Sequence, residues 1–283
     1  MMDKDAPFSS VVFAGGGSRC LWQVGFWDSV APALELAPRA VAGVSAGATM
    51  ACAILAGRAR FALEYMKAAV AANPKNMYPL RLFSGRPVFP HYPIYRQAVV
   101  DVIDADGLER LRQGPDMRVL LARPPAWAGP RLAVLLGFGA YMAEKKLNGR
   151  VHPEIAARIG FRPLAVPVRA CWTPEELADL LISSSCTPPM TPVMNWNGGP
   201  VLDGGLVDNV PVRALDPDDG PALVLLTRLY RPELLPQSPT RRYVQPSRPI
   251  SVAKWDYTNP QGFQDAYDLG RRDGERFAAA WPD

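Results

Sequence analysis

The chain has 283 residues, of which 48% are hydrophobic and 20% charged, an ordinary globular composition with length enough for a large core. Its 23 glycines and 30 prolines stay below the roughly 25–30% share that marks disorder, so collagen, coiled-coil and low-complexity classes are excluded. The surplus of charge is only +4, and the basic residues are scattered in short pairs such as Arg241-Arg242 and Arg271-Arg272. That distribution argues against nucleic acid as a partner and fits a weak attraction to an anionic lipid surface.

No apolar stretch follows a basic segment at the N-terminus, so no signal peptide is expected. Val11 to Ala14 reads as a short buried strand, broken by Gly15-Gly16-Gly17, and Arg19 to about Val30 has helical spacing. Arg39 to Ala42 reads as a second buried strand, followed after a glycine-flanked turn by a helix of small residues, Ala46 to Ala56. Strand, turn, helix, repeated, is the α/β pattern with a parallel sheet. Residues 73–95 carry five prolines with interleaved aromatics, which predicts an irregular excursion; its Arg86 to Tyr95 part suits a pocket mouth or lipid-facing lid, or an ordinary packed loop. Gln97 to Ile103, Leu108 to Gln113 and Leu132 to Leu147 read as helices, Met117 to Ala122 and Leu164 to Ala170 as strands. The most apolar run, Leu132 to Ala143, is too short to span a bilayer.

Thr173-Pro174-Glu175-Glu176 is a helix start, with Thr as N-cap, Pro at the first helical position and Glu three residues past the cap. Val201-Leu202 and Ala222 to Thr227 read as strands, and about 261–281 as an amphipathic helix with Phe263, Tyr267, Leu269 or Gly270, and Phe277 facing inward. No linker or repeat divides the chain, so one domain over 1–283 is expected, with the last helix packed on it. Cys20, Cys52, Cys171 and Cys186 form no C-x-x-C pair and read as reduced, buried thiols of a cytoplasmic protein.

The sharpest local signal is Gly43-Val44-Ser45-Ala46-Gly47, a G-x-S-x-G between a buried strand and a helix. A nucleophile elbow needs that setting, because a sharp strand-to-helix turn lifts the serine hydroxyl clear of the sheet. The same stretch also suits a plain tight turn capped by a serine. A nucleophilic serine needs a base. Only His91 and His152 are present, and no histidine follows Asp203, which rules out a Ser-Asp-His order. A serine–carboxylate dyad and a serine–histidine dyad both remain open. Asp203-Gly204-Gly205, at the end of a short apolar strand, offers the carboxylate. Gly15-Gly16-Gly17-Ser18-Arg19 offers several backbone amides that can converge on one spot, as an oxyanion hole requires. A dinucleotide fingerprint would need a glycine where Cys20 stands, and there is no G-K-[ST] for a P-loop.

Taken in order, the glycine-rich turn with Arg19, the G-x-S-x-G and the D-G-G resemble the signature of the patatin-like phospholipase family. Gly25, Ser45-Ala46-Gly47-Ala48, the run Ser183 to Pro189, and Asp208-Asn209-Val210-Pro211 extend the resemblance across about 1–57 and 180–212. The resemblance implies a three-layer α/β/α fold with a mainly parallel sheet. It also implies a lipid acyl hydrolase of phospholipase A or esterase type, without metal or cofactor. Carried over by residue, Ser45 is the nucleophile, Asp203 the base, and Gly15, Gly16 and Gly17 the oxyanion hole, with Arg19, Gly43, Gly47, Gly204 and Gly205 supporting the motifs. A free aspartate is a weak base for a hydroxyl, so burial in apolar surroundings and close contact are expected at Asp203. Ala14 and Cys20 depart from the family pattern, Cys20 narrowing the room beside the turn. The implied partner is an acyl lipid or ester, with transient contact at a membrane surface and a cytoplasmic location. Two other readings are a Ser45–His152 acyltransferase and a catalytically silent lipid-binding protein.

Overall fold

The computed structural model describes residues 7–147, 151–152 and 155–281. Strand β1 (Ser10–Phe13) leads through a 3-10 turn at Gly17–Cys20 into α1 (Leu21–Ala33), and β2 (Ala40–Val44) leads into α2 (Ala46–Leu55) and α3 (Ala59–Ala71). After an excursion come α4 (His91–Val102), α5 (Ala105–Gln113), β3 (Asp116–Arg123), α6 (Pro130–Leu147), α7 (Ile155–Arg158) and β4 (Arg162–Pro167). The chain continues with α8 (Pro174–Ser184), β5 (Met194–Trp196), β6 (Gly199–Asp203), β7 (Ala222–Leu225), β8 (Arg241–Val244) and α9 (Pro260–Ala279).

The strands form one mixed, mostly parallel sheet in the order β5-β6-β3-β2-β1-β7-β8, with β4 also pairing β3. β1 pairs β2 and β7 in parallel, as β2 does β3 and β7 does β8, whereas β4 and β6 run antiparallel to β3. Side chains alternate between the two faces of each strand. Val11, Phe13, Val41, Val119 and Leu121 pack with α1, α2, α4, α8 and α9. Val44, Leu120 and Leu202 face the opposite layer with α6 and α7, and Val12 and Val224 share that side with the 210–215 loop. The result is a three-layer α/β/α fold, as the resemblance implies.

Several boundaries differ from the sequence reading. α4 begins at His91, inside the stretch expected to be irregular. Pro93 is its third residue, where a helical amide has no intrahelical acceptor, so the ring breaks no bond. The strand expected over Leu164–Ala170 starts earlier and stops at Pro167, giving way to a 3-10 turn. Helix α3 and the strands β5 and β8 were not predicted; β8 is an edge strand with two exposed arginines and no clear alternation. Thr173 caps α8 as expected, its hydroxyl accepting the Glu176 amide at 3.2 Å. All four cysteines are free and buried. Among the described residues no helix is long and apolar enough to cross a membrane.

Helix α1, which continues from the glycine-rich turn, is locked by α9. The two backbones touch: a Cβ on Gly25 would overlap the Tyr267 carbonyl, and one on Gly270 the Trp22 carbonyl. The Trp22 indole N–H donates to Asp273 Oδ2 at 2.8 Å, the Ser247 amide donates to the same oxygen at 3.0 Å, and Arg276 pairs with Oδ1. Burial alone would raise the Asp273 carboxyl, but the bonds from Ser247, Trp22 and Arg276 outweigh it and hold the group below the usual carboxylate range. A depressed folded-state value stabilises above the unfolded-state value of about 3.9, and that contribution fades as pH falls through the folded-state value. Asp273→Ala is expected to cost about 1–3 kcal/mol at neutral pH, since it strands the Trp22 and Ser247 donors. The gap from the parent should narrow below about pH 4 in denaturant titrations run across pH.

Candidate active site

Sheet register brings the two chemical motifs together. On β2, Val44 pairs with Leu120 of β3, and the next β3 residue, Leu121, pairs with Asp203 at the end of β6. Ser45, one residue past Val44, therefore stands level with Asp203 although 158 residues separate them. The Ser45 hydroxyl donates to Asp203 Oδ2 at 2.9 Å, and both residues are buried. Ser45 sits at φ 53°, ψ −140°, a conformation that an L-residue adopts only under strain and that clusters at functional sites. Its amide donates to Ser184 Oγ at 2.8 Å, and the Ser184 hydroxyl donates to the Leu120 carbonyl at 2.6 Å, so α8 and β3 together hold the turn.

Glycine allows the close approaches around this turn. A Cβ on Gly47 would overlap the Ala14 carbonyl, and one on Gly43 would stand 2.6 Å from Ala48 Cα, so α2 leaves β2 tight against the sheet. Gly204 lies against the Leu120 carbonyl, and the Gly205 amide donates to Asp203 Oδ1 at 2.7 Å. Asp203 Oδ2 also accepts the Thr187 hydroxyl at 3.4 Å. The carboxylate is thus buried among three donors rather than in the apolar surroundings expected from sequence.

The glycine-rich turn lies beside Ser45: a Cβ built on Gly15 would be 3.4 Å from Ser45 Cβ. Gly15 itself is corrected as an oxyanion donor. Its amide donates to the Asn209 carbonyl at 3.0 Å, and its carbonyl accepts Asn209 Nδ2 at 3.1 Å and the Thr227 hydroxyl at 2.7 Å. The Gly16 and Gly17 amides make no hydrogen bond among the described residues. Gly17 has φ 59°, and its turn is pinned to the 252–256 segment: the Ser18 amide donates to the Lys254 carbonyl at 3.1 Å, and Arg19 Nε to the Val252 carbonyl at 3.1 Å. Arg19 braces the loop, as its position in the motif suggests.

Two cavities flank the pair. One is lined by Asp203, Thr187, Met190, Asn209, Lys254 and Trp255, with Val134 of α6. The other runs from Gly17, Ser18 and Ala46 into a largely apolar interior walled by Leu21, Met50, Met66, Val99 and Phe263. Thr49 and Tyr95 bond to each other at its side, and Tyr95 also bonds Ser185 Oγ at 3.1 Å.

The family model for patatin-like phospholipase matches residues 11–216. The chain belongs to the patatin-like phospholipase family. Members of this family are lipid acyl hydrolases acting on lipid esters. Among solved structures, VipD from Legionella pneumophila is similar at 11% identity and a TM-score of 0.46, over 96% of this chain and 67% of that one. No curated protein matches the chain.

The departures from the patatin-like pattern fall outside both cavities. Cys20 is buried with its thiol directed at the Ala14 carbonyl, 3.6 Å away, and burial pushes that thiol's pKa up. Both histidines lie off the serine. His152 places Nδ1 3.0 Å from Asp208 Oδ1 and Nε2 3.2 Å from the Tyr243 hydroxyl, and His91 Nε2 is 2.9 Å from the Trp255 carbonyl. The Ser45–His152 arrangement is therefore absent here, because both ring nitrogens of His152 face other partners. Ser184, Thr187 and Asn209 lie inside the family motifs with no role legible in sequence, and neither Gln23 nor Thr227 belongs to any motif. Gln23 is fully buried, and its Nε2 donates to the Ala14 and Leu225 carbonyls at 3.0 and 2.9 Å, tying the ends of β1 and β7. A buried glutamine on an otherwise apolar helix face was the available signal.

Proposed function

We propose that the chain, acting as one catalytic unit, hydrolyses fatty-acyl esters through a Ser45–Asp203 dyad and an acyl-enzyme. The observation that carries this reading is the 2.9 Å hydrogen bond from the strained Ser45 hydroxyl to Asp203. Ser45 Oγ attacks the ester carbonyl while its proton passes to Asp203. The Gly16 and Gly17 amides stabilise the oxyanion, aided by the positive end of α2. Collapse expels the alcohol, which takes the proton from Asp203. Water then attacks the acyl-Ser45 ester with Asp203 as base, releasing the fatty acid. Thr187 and the Gly205 amide hold the carboxylate in place through the cycle.

The apolar cavity beside Ala46 receives the acyl chain in this reading, and the Asp203 cavity, with Lys254 and Asn209, receives the leaving-group side. Purified protein should release fatty acid from phospholipids or from a graded series of p-nitrophenyl esters. No turnover of any acyl ester would overturn the hydrolase reading and favour a silent lipid binder. Met66→Trp, which fills the apolar cavity, is expected to lower the rate on the longest accepted chain by about tenfold relative to the shortest, the order expected when pocket contacts are lost.

A further inference from the structure

The excursion before α4 does not behave like a packed loop. Its base is fastened. The Tyr78 amide donates to the Val88 carbonyl at 2.8 Å, closing the loop on itself. Asn73 Nδ2 donates to the Tyr257 carbonyl at 2.8 Å, and the Tyr257 amide donates to Asn76 Oδ1 at 2.8 Å. These bonds tie the loop to the same 252–257 segment that braces the glycine-rich turn. The tip, by contrast, stands in solvent: Leu80 is 82% exposed, Leu82 73% and Phe83 87%. Three neighbouring large apolar side chains on an anchored base are a costly surface to leave in water.

Within the segment itself the charge has one sign, although Asn76 at its base bonds Asp256 at 3.2 Å. Residues 73–100 contain Lys75, Arg81, Arg86 and Arg96 and no aspartate or glutamate. Arg96 pairs with Asp179, while Lys75, Arg81 and Arg86 form no ion pair among the described residues. Arg81 lies over the Tyr78 ring, 3.9 Å from its centroid. The tip is also continuous with the site. A groove between Met77, Leu82 and Phe89 on one wall and Met190 and Pro192 on the other opens beneath it, and Met190 lines the Asp203 cavity as well.

We propose that residues 75–89 form a docking surface for an anionic lipid bilayer. Leu80, Leu82 and Phe83 enter the acyl region, Lys75, Arg81 and Arg86 meet lipid phosphates, and the Met190 groove leads a lipid from the bilayer to Asp203. An apolar tip flanked by basic side chains suits an anionic interface, where burial and charge attraction act together. What the surface delivers rests on the hydrolase reading; the docking itself is measured without catalysis.

The test uses Ser45→Ala protein, so that vesicles are not consumed, in flotation with phosphatidylcholine vesicles with and without phosphatidylglycerol. Binding is expected with phosphatidylglycerol and should weaken as salt rises. Leu80→Asp with Phe83→Asp should lower vesicle binding at least about tenfold with the Tm retained, since both side chains already face solvent. Lys75→Glu with Arg86→Glu should remove the preference for phosphatidylglycerol. In the Ser45 protein, the tip variant should show a lower ratio of vesicle to monomeric-ester hydrolysis. Tip variants that bind like the parent, or a parent that binds neither vesicle, would overturn the proposal. A dimer that the tip variant dissolves, with no vesicle binding, would assign the surface to a second copy of the chain. Vesicle binding lost in the tip variant, without ester hydrolysis by any form, would support the docking surface and sink the Ser45–Asp203 reading alone.

Discussion

Ser45→Ala is expected to lose at least about 10⁴-fold in kcat on every accepted ester, the order seen when an acyl-enzyme nucleophile is removed and only binding and oxyanion stabilisation remain. The reason is specific to this geometry. Ser45 Oγ is the hydroxyl placed 2.9 Å from Asp203, held there by a strained positive-φ turn at the end of β2. Thr187, the other hydroxyl on that oxygen, stands farther off at 3.4 Å, and the Thr49 and Ser184 hydroxyls are bonded to Tyr95 and to the Leu120 carbonyl. A fluorophosphonate probe should add one label, on Ser45, and none to the alanine variant. A label persisting in Ser45→Ala would remove the nucleophile assignment. Alanine removes the hydroxyl but keeps a Cβ in the strained turn, so the Tm should move little, and lost activity then reports chemistry rather than unfolding.

Asp203→Asn is expected to lower kcat by at least about 10²-fold, the low end for loss of a general base. The amide is isosteric, and its oxygen can still accept the Gly205 amide as Asp203 Oδ1 does at 2.7 Å. Its nitrogen then faces Ser45, where the carboxylate now accepts, and an amide nitrogen donates a hydrogen bond but takes no proton. Labelling of Ser45 by the probe should slow in step with kcat. His152→Ala is the paired control, because that ring is held between Asp208 and Tyr243 and does not reach the serine. A large loss in His152→Ala with little change in Asp203→Asn would reverse the assignment and favour a serine–histidine acyltransferase.

Local structure was legible in the sequence wherever it depends on contiguous residues. Gly43 to Gly47 specify a strand-to-helix turn because neighbouring glycines alone admit the close passage of α2 past the Ala14 carbonyl. Thr173 to Glu176 specify a helix start for a similarly local reason, an N-cap hydroxyl within reach of an amide three residues on. Buried runs such as Val11 to Phe13 announce strands because few other elements bury every residue in so short a span.

Tertiary structure decided which of these local devices meet. Asp203 reaches Ser45 only because β6 runs antiparallel to β3 while β2 runs parallel to it, a choice of direction that no residue of either motif encodes. The same holds for Gly15. As a sequence it is one of three equivalent glycines, and only the arrival of Asn209 from 194 residues away takes up its amide, while the Gly16 and Gly17 amides have no partner among the described residues. The excursion over 73–95 carries both lessons. Its prolines foretold an irregular path and hid the helix beginning at His91, but the anchoring of Asn73 and Asn76 to Tyr257 depends on a segment some 180 residues later. Local geometry follows from backbone sterics and nearby hydrogen bonds, which a short run of residues contains. The pairing of distant groups follows from strand order and register, which are set by burial over the whole sheet.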